Sequence, residues 1–296
     1  MKIVLTSDLH QMIGKWDDLA QLVELECPRF VLIAGDLLPK EGHKAQERFF
    51  CDLRHHLQRM QRAASATVLL YLGNDDHHIL EPRLDALEQD ELCVNMNGRI
   101  HREAGLVFCG MNKVRDYPFG YKHWCAADDD SIRCPQQYCG EGLTLDQHGN
   151  FVRLDNLLKY LSGKPSIGEE LNCLKQKLQP GEMERSIWMI HQPPSSMGMD
   201  VCADGREVGS AAVLRFIRKN QPLLGCSGHI HESPYQLNGR WVNEIGRTVW
   251  FQPGQMNFRL HCVSLNITEK LSVTDIRHSV FGEVKGTLKT PRGHRG

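Results

Sequence analysis

The stretch TVLLYLGNDDH, residues 67–77, joins a run of β-favouring and apolar residues to a glycine, an amide, two carboxylates and an imidazole. The first half has the unbroken hydrophobicity of a strand covered on both faces, not the alternation of a half-exposed one. The second half gathers polar groups where that strand ends. Alone, Gly73-Asn74-Asp75-Asp76 is an ordinary turn, because such residues tolerate left-handed backbone and bond their own main chain. Four further runs repeat the arrangement. KIVLTS (2–7) runs into Asp8-Leu9-His10, RFVLIA (29–34) into Gly35-Asp36, SIWMI (186–190) into His191-Gln192-Pro193-Pro194, and LLGCS (223–227) into Gly228-His229-Ile230-His231. Each cluster is weak evidence singly: Asp-x-His arises by chance, and Gly-Asp is a common turn. Together they deliver Asp, Asn or His to the carboxyl ends of five strands, where open α/β sheets bind ligands.

Between these strands lie segments of helical period. WDDLAQLVELE (16–26) aligns Trp16, Leu19, Leu22 and Val23, and FFCDLRHHLQRM (49–60) aligns Phe49, Phe50, Leu53, Leu57 and Met60. GSAAVLRFIRKN (209–220) is a third helix, ended by Gln221-Pro222. A further strand, GLVFCG (105–110), precedes a long connection. Strand alternating with helix predicts an α/β layered fold. The C-terminal third, with TVWFQPG, RLHCVSLNIT and KLSVTDIRHSV in succession and no helix between, reads as a largely antiparallel set. Residues 111–184 form an expanded insertion, a lid or packing, with helices expected near 152–162 and 167–178. We expect one domain over 1–282 and a basic, frayed tail over 283–296.

Length and composition narrow the class. The chain has 296 residues, 41% hydrophobic and 24% charged, which is globular composition with material for a sizeable core. A formal net charge of -1 argues against long nucleic acid or an anionic membrane as partner. The start, MKIVLTSDLHQ, reads as neither signal peptide nor anchor, and no apolar run approaches the ~18 residues of a membrane helix. The 11 cysteines, odd in number and irregularly spaced, suit reduced thiols in the cytoplasm. His123, Cys125, Cys134 and Cys139 share one loop, but C-x8-C-x4-C matches no common zinc pattern, so free thiols are the preferred reading.

The order D-x-H, G-D, G-N, H, G-H-x-H resembles the calcineurin-like metallophosphoesterases, from residue 3 to about residue 260. HQPPSSMGMD and the later GSAAVLRFIRKNQPLLGCSGHIHES most resemble the small prokaryotic-type branch, and PGQ (253–255) occupies the place of a family turn. The resemblance implies a four-layer α/β/β/α sandwich of two mixed sheets flanked by helices. It also implies two divalent metal ions, with Asp8, His10, Asp36 and His231 holding one and Asp36, Asn74, His191 and His229 the other. Carboxylate oxygens and imidazoles suit Mn, Fe, Zn or Ni, and a shared carboxylate lets two cations approach to ~3.5–4 Å. Such a pair acidifies a bridging water that attacks a phosphomonoester or phosphodiester, and Asn74 helps the metals stabilise the charge that develops. The implied substrate is a small phosphorylated molecule, a nucleotide among the candidates.

The chain departs from the family pattern at one position. Where the family carries a histidine after the Asn, this sequence has Asp75, then Asp76, His77 and His78. A carboxylate, with an ordinary pKa near ~3.9, is a poor proton donor at neutral pH, so Asp75 is expected to orient a neighbour or bind an outer water. Asn74, Asp75, Asp76 and His77 are the catalytic candidates. His77 and His78 are each a potential donor or simply a helix-start or surface residue. Arg115 and Tyr117 are candidates for the phosphate or its substituent, and Phe119, Tyr121 and Trp124 for stacking on a nucleobase or packing the insertion. His55-His56 and the acidic run 128–130 read as solvated faces. The rival readings are a protein-binding module with a degraded site, as in the retromer subunit of this fold, and a nuclease of the same superfamily.

Overall fold

Apolar strands covered on both faces need two partners each. The chain provides them by stacking two sheets and placing helices outside each. A computed structural model describes residues 1–10, 12–116, 120–129 and 142–284. In the first sheet β1 (Lys2–Thr6), β2 (Phe30–Ile33), β3 (Thr67–Leu70) and β4 (Val94–Asn95) run parallel. The second sheet starts with the antiparallel pair β5 (Ile100–Glu103) and β6 (Leu106–Met111). The insertion forms two small sheets, β7 (Val114–Arg115) with β8 (Cys125–Ala126) and β9 (Gly142–Leu145) with β10 (Phe151–Leu154). The second sheet then continues through β11 (Ser186–Ile190) and β12 (Leu224–Cys226), both in parallel register, and closes with β13 (Val242–Ile245) and β14 (Thr248–Phe251). Finally β15 (Val263–Ile267), β16 (Val273–His278) and β17 (Gly282–Glu283) return to the first sheet, antiparallel beside β1.

The period-2 alternation of side chains assigns each residue to a layer. Ile3, Leu5, Phe30, Leu32 and Leu69 face the other sheet and pack with Phe108, Ile187, Met189, Leu224 and Phe251. Their neighbours Val4, Val31, Ile33, Val68 and Leu70 face outward, against α1 (Ile13–Glu26), α2 (Gly42–Ala64) and α3 (Glu81–Gln89). On the far side, Trp188, Ile190 and Trp250 meet α5 (Ile167–Gln176) and α6 (Ala211–Asn220), while the short α4 (Leu157–Ser162) covers β7 and β8. The result is the expected four-layer α/β/β/α sandwich of two mixed sheets. Among the described residues no helix is long and apolar enough to cross a membrane, and the nine described cysteines are free thiols.

Several expectations change in detail. The C-terminal strands do not form one set: β14 joins the second sheet parallel to β12, and only β15 to β17 make the antiparallel edge of the first. Glu283, expected in the tail, pairs with Arg277, and Val284 packs on the core, while 285–296 lies outside the described residues. His56 is not solvated. It stacks on Trp16 with ring centroids 5.8 Å apart, because the wide apolar face of α2 turns it inward, while His55 stays exposed. Asp128 is buried too, accepting from the Ser210 hydroxyl and from the N–H groups of Ala211 (3.0 Å) and Ala212 (3.3 Å) at the start of α6. An anionic side chain at a helix N-terminus satisfies donors that have no intrahelical partner. Asp129 pairs with Arg215, and Asp130 lies outside the described residues.

Candidate metal centre

Four of the proposed ligands sit in the left-handed region although none is glycine: Asp8 (φ 55°), His10 (φ 40°), Asp36 (φ 52°) and His229 (φ 72°). Such conformations cost about 1–3 kcal/mol each and persist only where surrounding structure imposes them. Here the loops impose them on one another. The N–H of Asp8 donates to Gly35, that of His10 to Asp36, and that of Gly228 to His191, tying four strand ends together in two pairs. Glycine is required at two crossing points. A Cβ on Gly73 would lie 2.2 Å from Asp36 Oδ1, and one on Gly228 would lie 2.7 Å from Asp8 Oδ2.

The side chains so placed converge. Donor atoms of Asp8, His10, Asp36 and His231 all lie within 4.8 Å of one another. His10 Nε2 is 3.1 Å from His231 Nε2 and 3.8 Å from Asp36 Oδ2, and His231 Nε2 is 3.4 Å from Asp8 Oδ1. On the other side of Asp36, His191 Nε2 is 3.4 Å from Oδ2 and 2.8 Å from Asn74 Oδ1, to which His229 Nδ1 comes within 2.6 Å. The carbonyl of Ala34 accepts from His191 Nδ1 at 2.7 Å, which turns Nε2 towards the cluster. Asp8 Oδ2 and His10 Nδ1 are buried with no protein partner. Oxygen and imidazole donors, buried and only partly satisfied by one another, fit divalent transition metals.

Charge tells the same story. Burial opposes ionisation of Asp8 and Asp36, but His231 and His191 beside them overcome it and hold both carboxylates well below their ordinary range. Conversely, burial works against a charge on His191, and the attraction of Asp36 raises it to about 9. Burial pushes His10 down to about 3, and burial with the neighbouring His191 does the same to His229. Two buried carboxylates thus attract positive charge in the protein alone, while two imidazoles stay neutral, the form that binds metals.

The GNDDH loop separates into distinct tasks. Asp75 Oδ1 accepts from Asn74 Nδ2 at 2.8 Å, its Oδ2 pairs with Lys40 Nζ at 3.1 Å, and its N–H donates to Asp36 Oδ1 at 2.9 Å. Asp76, expected among the catalytic residues, has both oxygens taken by backbone N–H groups: Leu37 and Gly73 on Oδ2, Leu38 on Oδ1, each at 2.8 Å. It clamps the second loop against the third, and its side-chain hydrogen bonds go to backbone N–H groups. His77 is fully buried rather than on the surface. Its ring lies 5.2 Å from Tyr121 and 5.9 Å from each of His43, His123 and Phe151, walled off by aromatic groups. His78 is partly exposed and lies 5.1 Å from His123.

The insertion packs against this loop. His123 Nε2 and Trp124 Nε1 both donate to the carbonyl of Asp76, at 3.0 and 2.8 Å. Cys125 is buried beside Val114, Leu157 and Leu161, and burial pushes its thiol up to about 12. Cys134, Cys139, Tyr117 and Phe119 lie outside the described residues. Tyr121 stacks on Phe151 at 5.6 Å. Arg115 donates from its guanidinium to the carbonyl of Gly209 at 2.6 Å, which holds it against the loop after β11. Sequence reasoning missed Lys40, four residues beyond Asp36, and the buried Lys15 on α1. A basic residue close behind a ligand loop was the available signal for the first, and a lysine on the apolar stripe beside Trp16 for the second.

The model of the family described as calcineurin-like phosphoesterase matches residues 1–233. No curated protein matches the sequence significantly. Among solved structures, the TT1561 protein of Thermus thermophilus superposes with a TM-score of 0.55 at 15% identity, over 92% of this chain and 96% of that one. A dimetal phosphatase from Danio rerio superposes with a TM-score of 0.51 at 13% identity, over 91% and 93%. At such identities these likenesses speak to fold. The family match, running from β1 past the GHIH turn, is what places the molecule: this chain belongs to the calcineurin-like phosphoesterase family.

Proposed function

We propose that the protein is a hydrolase of phosphomonoesters or phosphodiesters using two divalent metal ions. Asp8, His10, Asp36 and His231 hold one ion, and Asp36, Asn74, His191 and His229 the other. The observation that carries this reading is the two-sided position of Asp36, with His10 at 3.8 Å and His191 at 3.4 Å from the same oxygen. The ions supply a water acidic enough to attack phosphorus near neutral pH, and positive charge for the phosphate oxygens; Mn, Fe, Zn and Ni all suit the donor set. The protein's own part is orientation. Ala34 sets the tautomer of His191, and Asp75 turns the oxygen of Asn74 inward and holds Lys40 at the mouth. Asp75 acts as a positioning residue, and His77 lies too deep among aromatic rings to protonate a leaving group. We place the protein in the cytoplasm, as one domain over 1–282 with β17 continuing it to Glu283, acting on a small phosphorylated molecule such as a nucleotide, in keeping with the free thiols among its described cysteines.

The test is elemental analysis of untagged protein, followed by hydrolysis of p-nitrophenyl phosphate and bis(p-nitrophenyl) phosphate. Close to two transition metals per chain, with hydrolysis abolished by chelation and restored by Mn²⁺, is the expected result. A chain that binds no metal after incubation with Mn²⁺ belongs instead with the protein-binding modules of this fold.

A further inference from the structure

Beside Asp8, His10 and His231 the protein opens into a chamber of about 500 Å³, within the range of small-molecule sites. Lys15 and Lys40 are among the residues that line it. Lys15 is only 2% exposed, on the first turn of α1, and among the described residues no hydrogen bond or ion pair reaches its side chain. A buried, unpaired charge is expensive unless something neutralises it. Burial lowers the Lys15 ammonium to about 8, and the carboxylate of Asp8 works against that fall. That partner is the one the metal reading claims for a cation. Once the charge of Asp8 is engaged there, an anion in the chamber is what would keep the proton on Lys15.

Lys40 faces the same space from the opposite loop. It is held by Asp75 at 3.1 Å, and although burial pulls its pKa down, the carboxylates of Asp75 and Asp36 more than restore it, so it is a fixed cation. Gln255 and Asn257 lie on the same wall, but the amide of Gln255 is already bonded to Thr6 and His261. Glu41 stands at the exposed rim, where water and salt screen its charge. The chamber therefore has one deep and one shallow lysine, next to the proposed phosphate site, and more volume than one phosphate fills.

We propose that this chamber is a second anion site, in which Lys15 and Lys40 receive a phosphate or comparable dianion that the substrate carries in addition to its scissile phosphate. The proposal rests on the phosphoesterase reading of the neighbouring ligands. It narrows the substrate class to phosphoesters with two anionic groups, such as nucleoside diphosphates or bisphosphates.

The experiment is calorimetric titration of the metal-loaded protein with methylphosphonate, methylenediphosphonate and propane-1,3-diphosphonate, none of which is hydrolysed. At least one diphosphonate is expected to bind about tenfold tighter than methylphosphonate, the gain of one charge-assisted contact. Lys15→Met, which keeps the length of the stem, is expected to bring that ratio to within about threefold. Lys40→Gln, at the surface, reduces the ratio as well and decides the matter if the buried variant does not fold. Diphosphonates no tighter than methylphosphonate in the unaltered protein, or a ratio unmoved by the folded variants, overturns the second site while leaving the phosphoesterase reading intact. Failure of methylphosphonate itself to bind a two-metal protein overturns both.

Discussion

Asp75 Oδ1 accepts a hydrogen bond from Asn74 Nδ2 at 2.8 Å, and this one contact fixes which end of the Asn74 amide faces His191 and His229. With the NH₂ group held by Asp75, the oxygen points inward as a ligand must. The residue that replaces the family histidine thus serves its neighbour. Asp75→Ala releases both that amide and Lys40, so the expected result is about a 10–100-fold loss in metal affinity or turnover, the usual cost of an outer partner of a ligand. Asp75→Asn keeps a carbonyl acceptor for Asn74 but loses the ion pair with Lys40, and should fall between the two. Metal titration with a competing chelator distinguishes them. Equal affinities in all three proteins would show that Asn74 is oriented by something else.

Asp36→Asn tests the bridge. Asp36 Oδ2 lies between His10 and His191, and Oδ1 accepts from the N–H of Asp75, so one residue serves both ligand sets and the loop between them. Replacing its charge by an amide should lower metal content from about two per chain to below one, and turnover by more than about 100-fold. Elemental analysis reads the first directly. Two retained metals with near-normal turnover would remove Asp36 from the centre.

Gly73→Ala probes how the loops are held. The added Cβ would lie 2.2 Å from Asp36 Oδ1 and 2.3 Å from the Asp36 backbone nitrogen, and neither neighbour is free to move. Overpacking of this kind costs about 1–3 kcal/mol, and the displaced group is a proposed ligand. The expected outcome is a lower melting temperature together with loss of metal binding. Unchanged metal affinity would mean that the third loop has room the geometry does not show.

Much of this was legible before any coordinates. The apolar runs became β1, β2, β3, β6, β11 and β12 to within a residue or two, because strands buried on both faces carry their signature in composition. The proposed ligand residues stand out because their types and order are unusual. What the sequence did not disclose is mostly long-range. Asp76 looks like a second acid beside Asp75, and only the approach of Leu37, Leu38 and Gly73 shows that backbone amides occupy it. His56 looks like half of an exposed pair until α1 brings Trp16 against it. Lys15 sits on an apolar stripe like a boundary lysine, and its burial follows from the packing of α1 beside the metal centre. The left-handed backbone at Asp8, His10 and Asp36 has only a weak local cue, the tolerance of Asp and His for it, since tertiary contacts impose it.

The last prediction concerns acid stability and lies away from the centre. His278 is fully buried; Pro253 accepts from its Nε2–H at 2.9 Å, so Nδ1 is a lone pair that accepts from the N–H groups of Val280 (3.0 Å) and Phe281 (3.3 Å). Protonating Nδ1 would break those bonds and bury a charge, and burial pushes the residue down to about 4, against an ordinary value near ~6.5. The folded state therefore binds fewer protons than the unfolded state between these limits. Its contribution is fully present above pH ~6.5 and is lost as the pH falls towards about 4. That amounts to about 2 kcal/mol between pH 7 and pH 5. Urea denaturation of the unaltered protein and of His278→Gln at the two pH values reads it, because the buried histidines other than the neighbouring His261, whose ring lies 5.7 Å away, contribute equally to both. His278→Gln is expected to be less stable at pH 7 yet to lose about 2 kcal/mol less on going to pH 5. Identical pH slopes would show that His278 accepts its proton without cost, and that Val280 and Phe281 do not depend on its lone pair.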